Sequence, residues 1–265
     1  MHNLVMAIAT GYNVVDLEPL IKSLRRYYNG EVVLFMYNPN SEMQSFLNLN
    51  NIKVVEIYKE MKNGVEICNY RHQVYKEYLQ TKKDVERVLI VDSRDTIFQD
   101  DPFKHQLTTE VEFFMESEVY SKCDCNGNWW INGIYGQEVF NKMANEYIAC
   151  AGTTMGTRDG MLFYFNEIIK EIERMKSIRN PSQELHNPVV DQPCHGYLIY
   201  NGAFNKFKRY MSGYGPVATM SFHNNMKFDK QGNLLNEDGS IVAIVHQWDR
   251  TGVLKEVFYN KALGR

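Results

Sequence analysis

Basic charge is in short supply. The 265 residues carry 29 Lys plus Arg against 32 Asp plus Glu, a formal charge of −3 at neutral pH. A nucleic-acid binder needs a cationic face that displaces counterions from phosphates, so no nucleic-acid partner is expected. Long apolar runs are also missing. No stretch approaches the ~20 apolar residues of a membrane-spanning helix, and the segment Met1–Thr10 has no basic leader before an apolar core. A soluble, cytoplasmic chain without a membrane span is the expectation. Cysteine is sparse: Cys68, Cys123, Cys125, Cys150 and Cys194 are odd in number, and no two have C-x-x-C spacing. That pattern predicts reduced thiols instead of a disulfide framework, and Cys123 with Cys125 does not complete a zinc site. Internal repeats, low-complexity tracts and linkers are lacking too, so residues 1–265 are expected to form one domain.

What remains is globular material. Hydrophobic residues make up 44% of the chain, enough at this length to bury an α/β core. The 17 Tyr, 14 Phe and 3 Trp either fill that core or provide apolar platforms for a ring-shaped ligand, with the core reading favoured.

Short apolar runs alternate with amphipathic stretches in the first half. Strands are predicted at Leu4–Ala9, Glu31–Tyr37, Ile52–Ile57 and Arg87–Val91. Helices are predicted over Asp16–Tyr28, after a cap at Ser41, and over Asn69–Leu79. Alternation of this kind implies a mostly parallel sheet covered by helices on both faces, with ligands beyond the carboxyl ends of its strands. The second half is less regular. It offers a strand at Glu112–Glu116, a helix around Met161–Lys176, a polar loop to Asn187, a hairpin turn at Asn236–Gly239 and a last strand, Ile241–Val245.

The most informative segment is Val91-Asp-Ser-Arg-Asp-Thr-Ile-Phe98. An apolar strand that ends in two carboxylates and an arginine is costly to bury unless those charges have partners or work. Oxygen ligands suit Mg²⁺ or Mn²⁺, and such ions bridge carboxylates to substrate phosphates. Asp92 and Asp95 reach one ion only if the chain curls into a turn directly after the strand. Arg94 is placed to offset diphosphate charge, or else joins a surface Asp–Arg network. Asp101-Pro102 reads as a cap with proline in the first turn.

This block resembles the DxD region of GT-A glycosyltransferases, and within them small soluble members, of the kind carried by large algal viruses, with a D-x-R-D variant. Four further segments carry the resemblance in order along the chain: Asn132-Gly133, Cys150-Ala-Gly-Thr-Thr-Met-Gly156, Asp191-Gln192 and Val245-His-Gln-Trp-Asp-Arg250. It implies a GT-A fold, Rossmann-like, with a nucleotide-binding half over 1–103 and a sugar and acceptor half over 104–265. The donor is a nucleotide sugar, a UDP-sugar first and otherwise a GDP-sugar; the acceptor is a hydroxyl of a glycan or glycoconjugate. Ala9, Thr10, Gly11 and Tyr12 become candidates for the base and ribose, with Arg71, Ser93 and Arg94 near base, ribose or phosphates. Asn132, Gly133, Gly152 and Thr153 are candidates for the sugar side, the last two on a loop. Asp92 and Asp95, together with a returning His246, would hold the metal. Asp191 and Gln192 are the catalytic candidates, in either a retaining or an inverting enzyme, and His186 and His195 read as structural histidines. Two rivals stand beside this reading: a nucleotide-sugar-binding protein without transfer activity, and a sugar nucleotidyltransferase. The second would carry a basic Gly-rich loop after the first strand, which Thr10-Gly-Tyr-Asn13 does not provide. A P-loop is excluded by the missing Lys-Ser/Thr ending.

Overall fold

The apolar runs of the first hundred residues become neighbouring strands of one sheet. The computed structural model of the chain describes residues 2–59, 63–179, 188–223, 226–252 and 254–265. Strands β1 (His2–Ile8), β2 (Glu31–Met36), β3 (Lys53–Glu56) and β4 (Val85–Val91) alternate with helices α1 (Val14–Tyr27), α2 (Ser41–Leu49) and α3 (Gly64–Thr81). After β5 (Thr96–Phe98) come β6 (Val111–Val119), a wide π-helical coil at Asp124–Asn132, the single turn α4 (Gly133–Tyr135), and α5 (Gln137–Met143). Then follow β7 (Tyr147–Thr157), α6 (Arg158–Ile178), α7 (Asp191–Tyr200), β8 (Phe207–Tyr210) and β9 (Val217–Thr219). The hairpin β10 (Lys227–Phe228) and β11 (Leu234–Leu235), strand β12 (Ile244–His246) and helix α8 (Leu254–Leu263) complete the order.

Seven strands form the main sheet in the order β3-β2-β1-β4-β7-β6-β8. The fold class is α/β, but the sheet is mixed where a mostly parallel one was expected. Strand β7 runs antiparallel to both β4 and β6, while β1, β2, β3 and β4 pair in parallel. The cause lies in a misread segment. Gly152 and Thr153 were expected on a loop, yet they lie in the middle of β7, which is almost wholly buried. Small residues and β-branched threonines suit a strand crowded on both faces.

Side chains alternate across the sheet. Met6, Phe35, Ile90 and Phe113 face α3 and α6, where Tyr75, Tyr164 and Phe165 meet them. Val5, Leu34, Leu89 and Phe114 face α1, where Leu17, Leu20 and Ile21 pack. Helix α2 is capped by Asn40, whose carboxamide oxygen accepts from the Met43 amide at 2.8 Å, so Ser41 is the first helical residue and not the cap. Asp101 caps the turn Pro102–Lys104 as read, accepting from Phe103 N–H at 2.9 Å. The last strand is displaced to Ile244–His246 because Ile241 closes the hairpin against Leu235. No helix among the described residues is long and apolar enough to cross a membrane. His186 and the end of the polar stretch up to Asn187 lie outside the described residues.

A smaller sheet in the order β5-β12-β9 closes one end of the molecule. Strand β12 is antiparallel to β5, with His246 opposite Thr96, and parallel to β9, with His246 opposite Thr219.

His195 sits wholly within the core, 2.9 Å from the Tyr164 hydroxyl and edge-on to Phe113. Burial pushes its imidazole down to about 3 from the usual 6.5. The unfolded chain therefore takes up a proton below 6.5 that the folded one refuses until about 3, and stability drains away across that window as pH falls. Urea unfolding of His195→Gln should show a shallower loss over the same range, by up to about 1.4 kcal/mol per pH unit. Equal slopes in variant and parent would mean that His195 titrates normally.

Candidate functional site

Register decides which side chains meet. Because His246 pairs with Thr96, it is carried next to Asp95, the residue just before β5. The chain bends at 93–95 directly after β4, which turns Asp92 and Asp95 towards the same point. One ligand atom each from Asp92, Asp95 and His246 all lie within 4.8 Å of one another. His246 Nε2 is 3.4 Å from Asp92 Oδ2 and 3.6 Å from Asp95 Oδ1, and it has no hydrogen-bond partner among the described residues. Strand β7 makes room for the cluster at Gly152. A Cβ there would stand 2.4 Å from the His246 ring and 2.6 Å from Asp92 Oδ2, so the absent side chain is what lets both approach.

Behind the cluster lies a buried cation. Arg71 of α3 donates to Asp92 Oδ1 at 2.5 Å, to Asp191 Oδ2 through Nε at 2.7 Å, and to the Ala151 carbonyl at 3.0 Å. Its neighbour His72 adds a second contact to Asp191 Oδ2 at 2.9 Å. Burial works against the charged form of Asp191, yet the Arg71 charge and the His72 hydrogen bond outweigh it and hold the carboxyl below its usual range. Asp92 is likewise held far below the ordinary carboxylate range; burial opposes this, and Arg71 and His246 overcome it. For His246, burial disfavours the imidazolium, but the surrounding Cys150, Asp95 and Asp92 raise it well above an ordinary histidine. The ring thus carries a proton between two carboxylates.

The cleft has two lobes that meet at Arg71 and Asp92. A smaller lobe of about 190 Å³ lies at the exits of β1 and β4, lined by Thr10, Tyr12, Ser93, Arg94 and Asp95. Strand order reverses between these two strands, which is where open α/β sheets hold their ligands. Ser93 ties the exits together by donating to the Ile8 carbonyl at 2.8 Å. The Thr10 hydroxyl is buried without a partner among the described residues. Gly11 takes φ +79°, the left-handed conformation that glycine adopts freely, and turns the chain from β1 towards α1. Ala9 is different: it is fully buried and continues the sheet through its amide to Phe35 O.

The larger lobe, about 390 Å³, is lined by Trp130, Gly152, Asp191, Gln192, Phe222 and His246, among others. Gln192 is fixed at both ends of its carboxamide, accepting from Ala151 N–H at 2.8 Å and donating to Ala149 O at 2.7 Å and Asn126 Oδ1 at 3.1 Å. Arg94 pairs with Asp249 at 2.8 Å, and Arg250 lies 3.7 Å from Asp95.

No protein-family model matches the sequence, and a search of curated proteins finds no similar chain. The site must speak through its geometry.

Five of the candidates from the sequence do not line the cleft: Ala9 and Gly11, which flank Thr10 without facing the smaller lobe, and Asn132, Gly133 and Thr153. Asn132 hydrogen-bonds Gln137 at 3.2 Å, Gly133 O receives Arg179, and Thr153 is buried inside β7 opposite Val91. Conversely, Glu116, Cys150, Trp130 and Arg250 line the larger lobe without having been singled out as its residues. One signal was available: Glu116 directly follows the short apolar run Phe113–Met115, an anomaly like the one that drew attention to Asp92.

Removing Arg71 takes away the one cation that Asp92 and Asp191 share and leaves each with only a histidine beside it. Arg71→Ala should cost about 3–5 kcal/mol in urea unfolding at neutral pH. Arg71→Lys should recover only part of this, since a single ammonium cannot replace a planar fork that serves two carboxylates and a carbonyl. A loss under about 1 kcal/mol for the alanine variant would show that solvent substitutes for the guanidinium.

Proposed function

We propose that the chain is a metal-dependent glycosyltransferase of GT-A type that moves a sugar from a nucleotide-diphosphate sugar, a UDP-sugar first among them, to a hydroxyl of a glycan or related acceptor. The observation that carries this reading is the convergence of Asp92, Asp95 and His246 at the junction of the two lobes. The residues fit a divalent cation on three counts. His246 Nε2 is buried and faces both carboxylates without a hydrogen bond to either, Gly152 lets it approach Asp92, and two carboxylates with one imidazole suit Mn²⁺ better than Mg²⁺. When bound, the ion supplies charge that neutralises a departing diphosphate. The chain supplies the rest. Tyr12 offers a ring to the base, Thr10 a free hydroxyl to base or ribose, and Arg94 a cation at the mouth of the smaller lobe. Trp130 and Phe222 give the larger lobe apolar surface for a sugar ring.

The direct test is incubation with UDP-, GDP- and dTDP-sugars in Mn²⁺ or in EDTA. Metal-dependent release of a nucleoside diphosphate is expected, with slow hydrolysis when no acceptor is present. Binding without turnover would favour the binding-protein reading, and pyrophosphate chemistry the nucleotidyltransferase one. A donor present at a hundred times its dissociation constant should also add about 2.7 kcal/mol of stability.

Two variants probe the cation itself. His246→Ala should weaken Mn²⁺ binding and reduce the preference for Mn²⁺ over Mg²⁺; an unchanged preference would remove His246 from the ligand set. Gly152→Ala should cost at least about tenfold in Mn²⁺ affinity, near 1.4 kcal/mol, because the new methyl forces His246 and Asp92 apart. Since His246 holds a proton that a ligand nitrogen must lose, Mn²⁺ affinity should rise with pH and calorimetry should detect proton release.

A further inference from the structure

Glu116 is a buried carboxyl that the Arg71 network does not use and the three ligand residues do not explain. It lies towards the end of β6, is only 3% exposed, and lines the larger lobe. Strands β4 and β6 both pair antiparallel with β7, so they run the same way and deliver Asp92 and Glu116 to the same edge of the sheet. Between them on β7 stand Gly152, against Asp92, and Cys150, whose sulfur is 3.4 Å from His246 Nδ1 and whose thiol is close enough to Glu116 to lower its carboxyl slightly. The second carboxylate oxygen, Oε2, has no hydrogen-bond partner among the described residues.

A buried carboxylate oxygen without a donor costs free energy unless a ligand supplies one. The lobe it lines also holds Trp130, Phe222 and Gln192, on the side of the cluster away from Tyr12. Two other carboxyls line this lobe: Asp92 belongs to the ligand cluster, and Asp191 is already occupied by Arg71 and His72, a pairing that makes it a weak proton acceptor.

We propose that Glu116 is the general base of the transfer and that the reaction inverts the anomeric centre, an inference that rests on the glycosyltransferase reading. The acceptor oxygen bonds to the anomeric carbon while its O–H bond breaks and the proton passes to Glu116 Oε2. The bond from the anomeric carbon to the diphosphate oxygen breaks with its electron pair leaving on the diphosphate. Glu116 ends the step as the neutral acid and returns its proton to solvent. Its surroundings suit the task. Burial pushes the carboxyl up to about 7, against the lowering influence of His246 on β12, Arg250 beyond it and the Cys150 thiol. Tyr120 after β6 and Cys125 in the π-helical coil are the other titratable groups that sense it.

The test compares the whole chain with Glu116→Gln, using the donor that the wild type turns over fastest and either its acceptor or water. Glu116→Gln should lose a factor of about 10² or more in rate, while Mn²⁺ and UDP affinities stay within about twofold of wild type. Proton NMR of the first-formed product should show the anomeric configuration opposite to that of the donor. If Glu116→Gln also loses Mn²⁺ and UDP binding, Glu116→Asp decides: a base set one carbon back keeps binding and loses rate, whereas a residue needed only for structure loses both together. No metal-dependent turnover by the wild type would overturn the transferase reading and this inference with it. Turnover by the wild type, with more than about a tenth of the rate kept in Glu116→Gln or with the donor configuration retained, would overturn the inference alone.

Discussion

The site is organised around one buried guanidinium. Arg71 reaches from α3 to the exit of β4 through Asp92, to the first residue of α7 through Asp191, and to β7 through the Ala151 carbonyl. Taking such a cation out of water costs several kcal/mol, and the two carboxylates return it only in a fixed geometry. The same contacts therefore lock three elements in place and orient Asp92. One carboxylate oxygen of Asp92 faces Arg71, and the other faces His246.

Around that cation, the sheet and the small β5-β12-β9 sheet divide the labour. The main sheet aligns the exits of β1, β4 and β6 at one edge, and the small sheet returns a late segment of chain across them. Immediately after β12, Gln247 takes φ +57°, a left-handed conformation that a non-glycine residue adopts at some cost. The strain accompanies an abrupt change of direction, which sends Asp249 to Arg94 and Arg250 towards Asp95.

The first half of the fold was legible because its physics is periodic. Leu4–Ile8, Val32–Met36 and Val88–Val91 are apolar runs that only a covered strand can bury, and the charges placed after Val91 have no cheap position except the rim of a cleft. The second half resisted for reasons equally physical. Strand β7 hides its nature in Ala, Gly and Thr, whose small size serves close packing and leaves no apolar signature. A π-helical coil rich in Asn and Trp has no period that a helix or strand template recognises. Arg71 gave no hint of its partners, since ion pairs between residues far apart in sequence are fixed by topology and not by local pattern. Glu116 was within reach, for a carboxylate set directly after the apolar run Phe113–Met115 breaks the same rule as Asp92.

The pairing of His246 with Thr96 also sets an order of events. Most of the chain separates these partners, so their contact carries a long loop-closure penalty and belongs among the late steps of folding. During synthesis, β1 to β4 and their helices emerge together and can pair while the third member of the cluster is still untranslated. A nascent chain then presents Asp92 and Asp95 without His246, a weak pair of carboxylates beside a buried arginine. The cluster is complete only once β12 has been made and paired with β5, and a ribosome-bound or truncated product lacking β12 keeps Asp92 and Asp95 without His246.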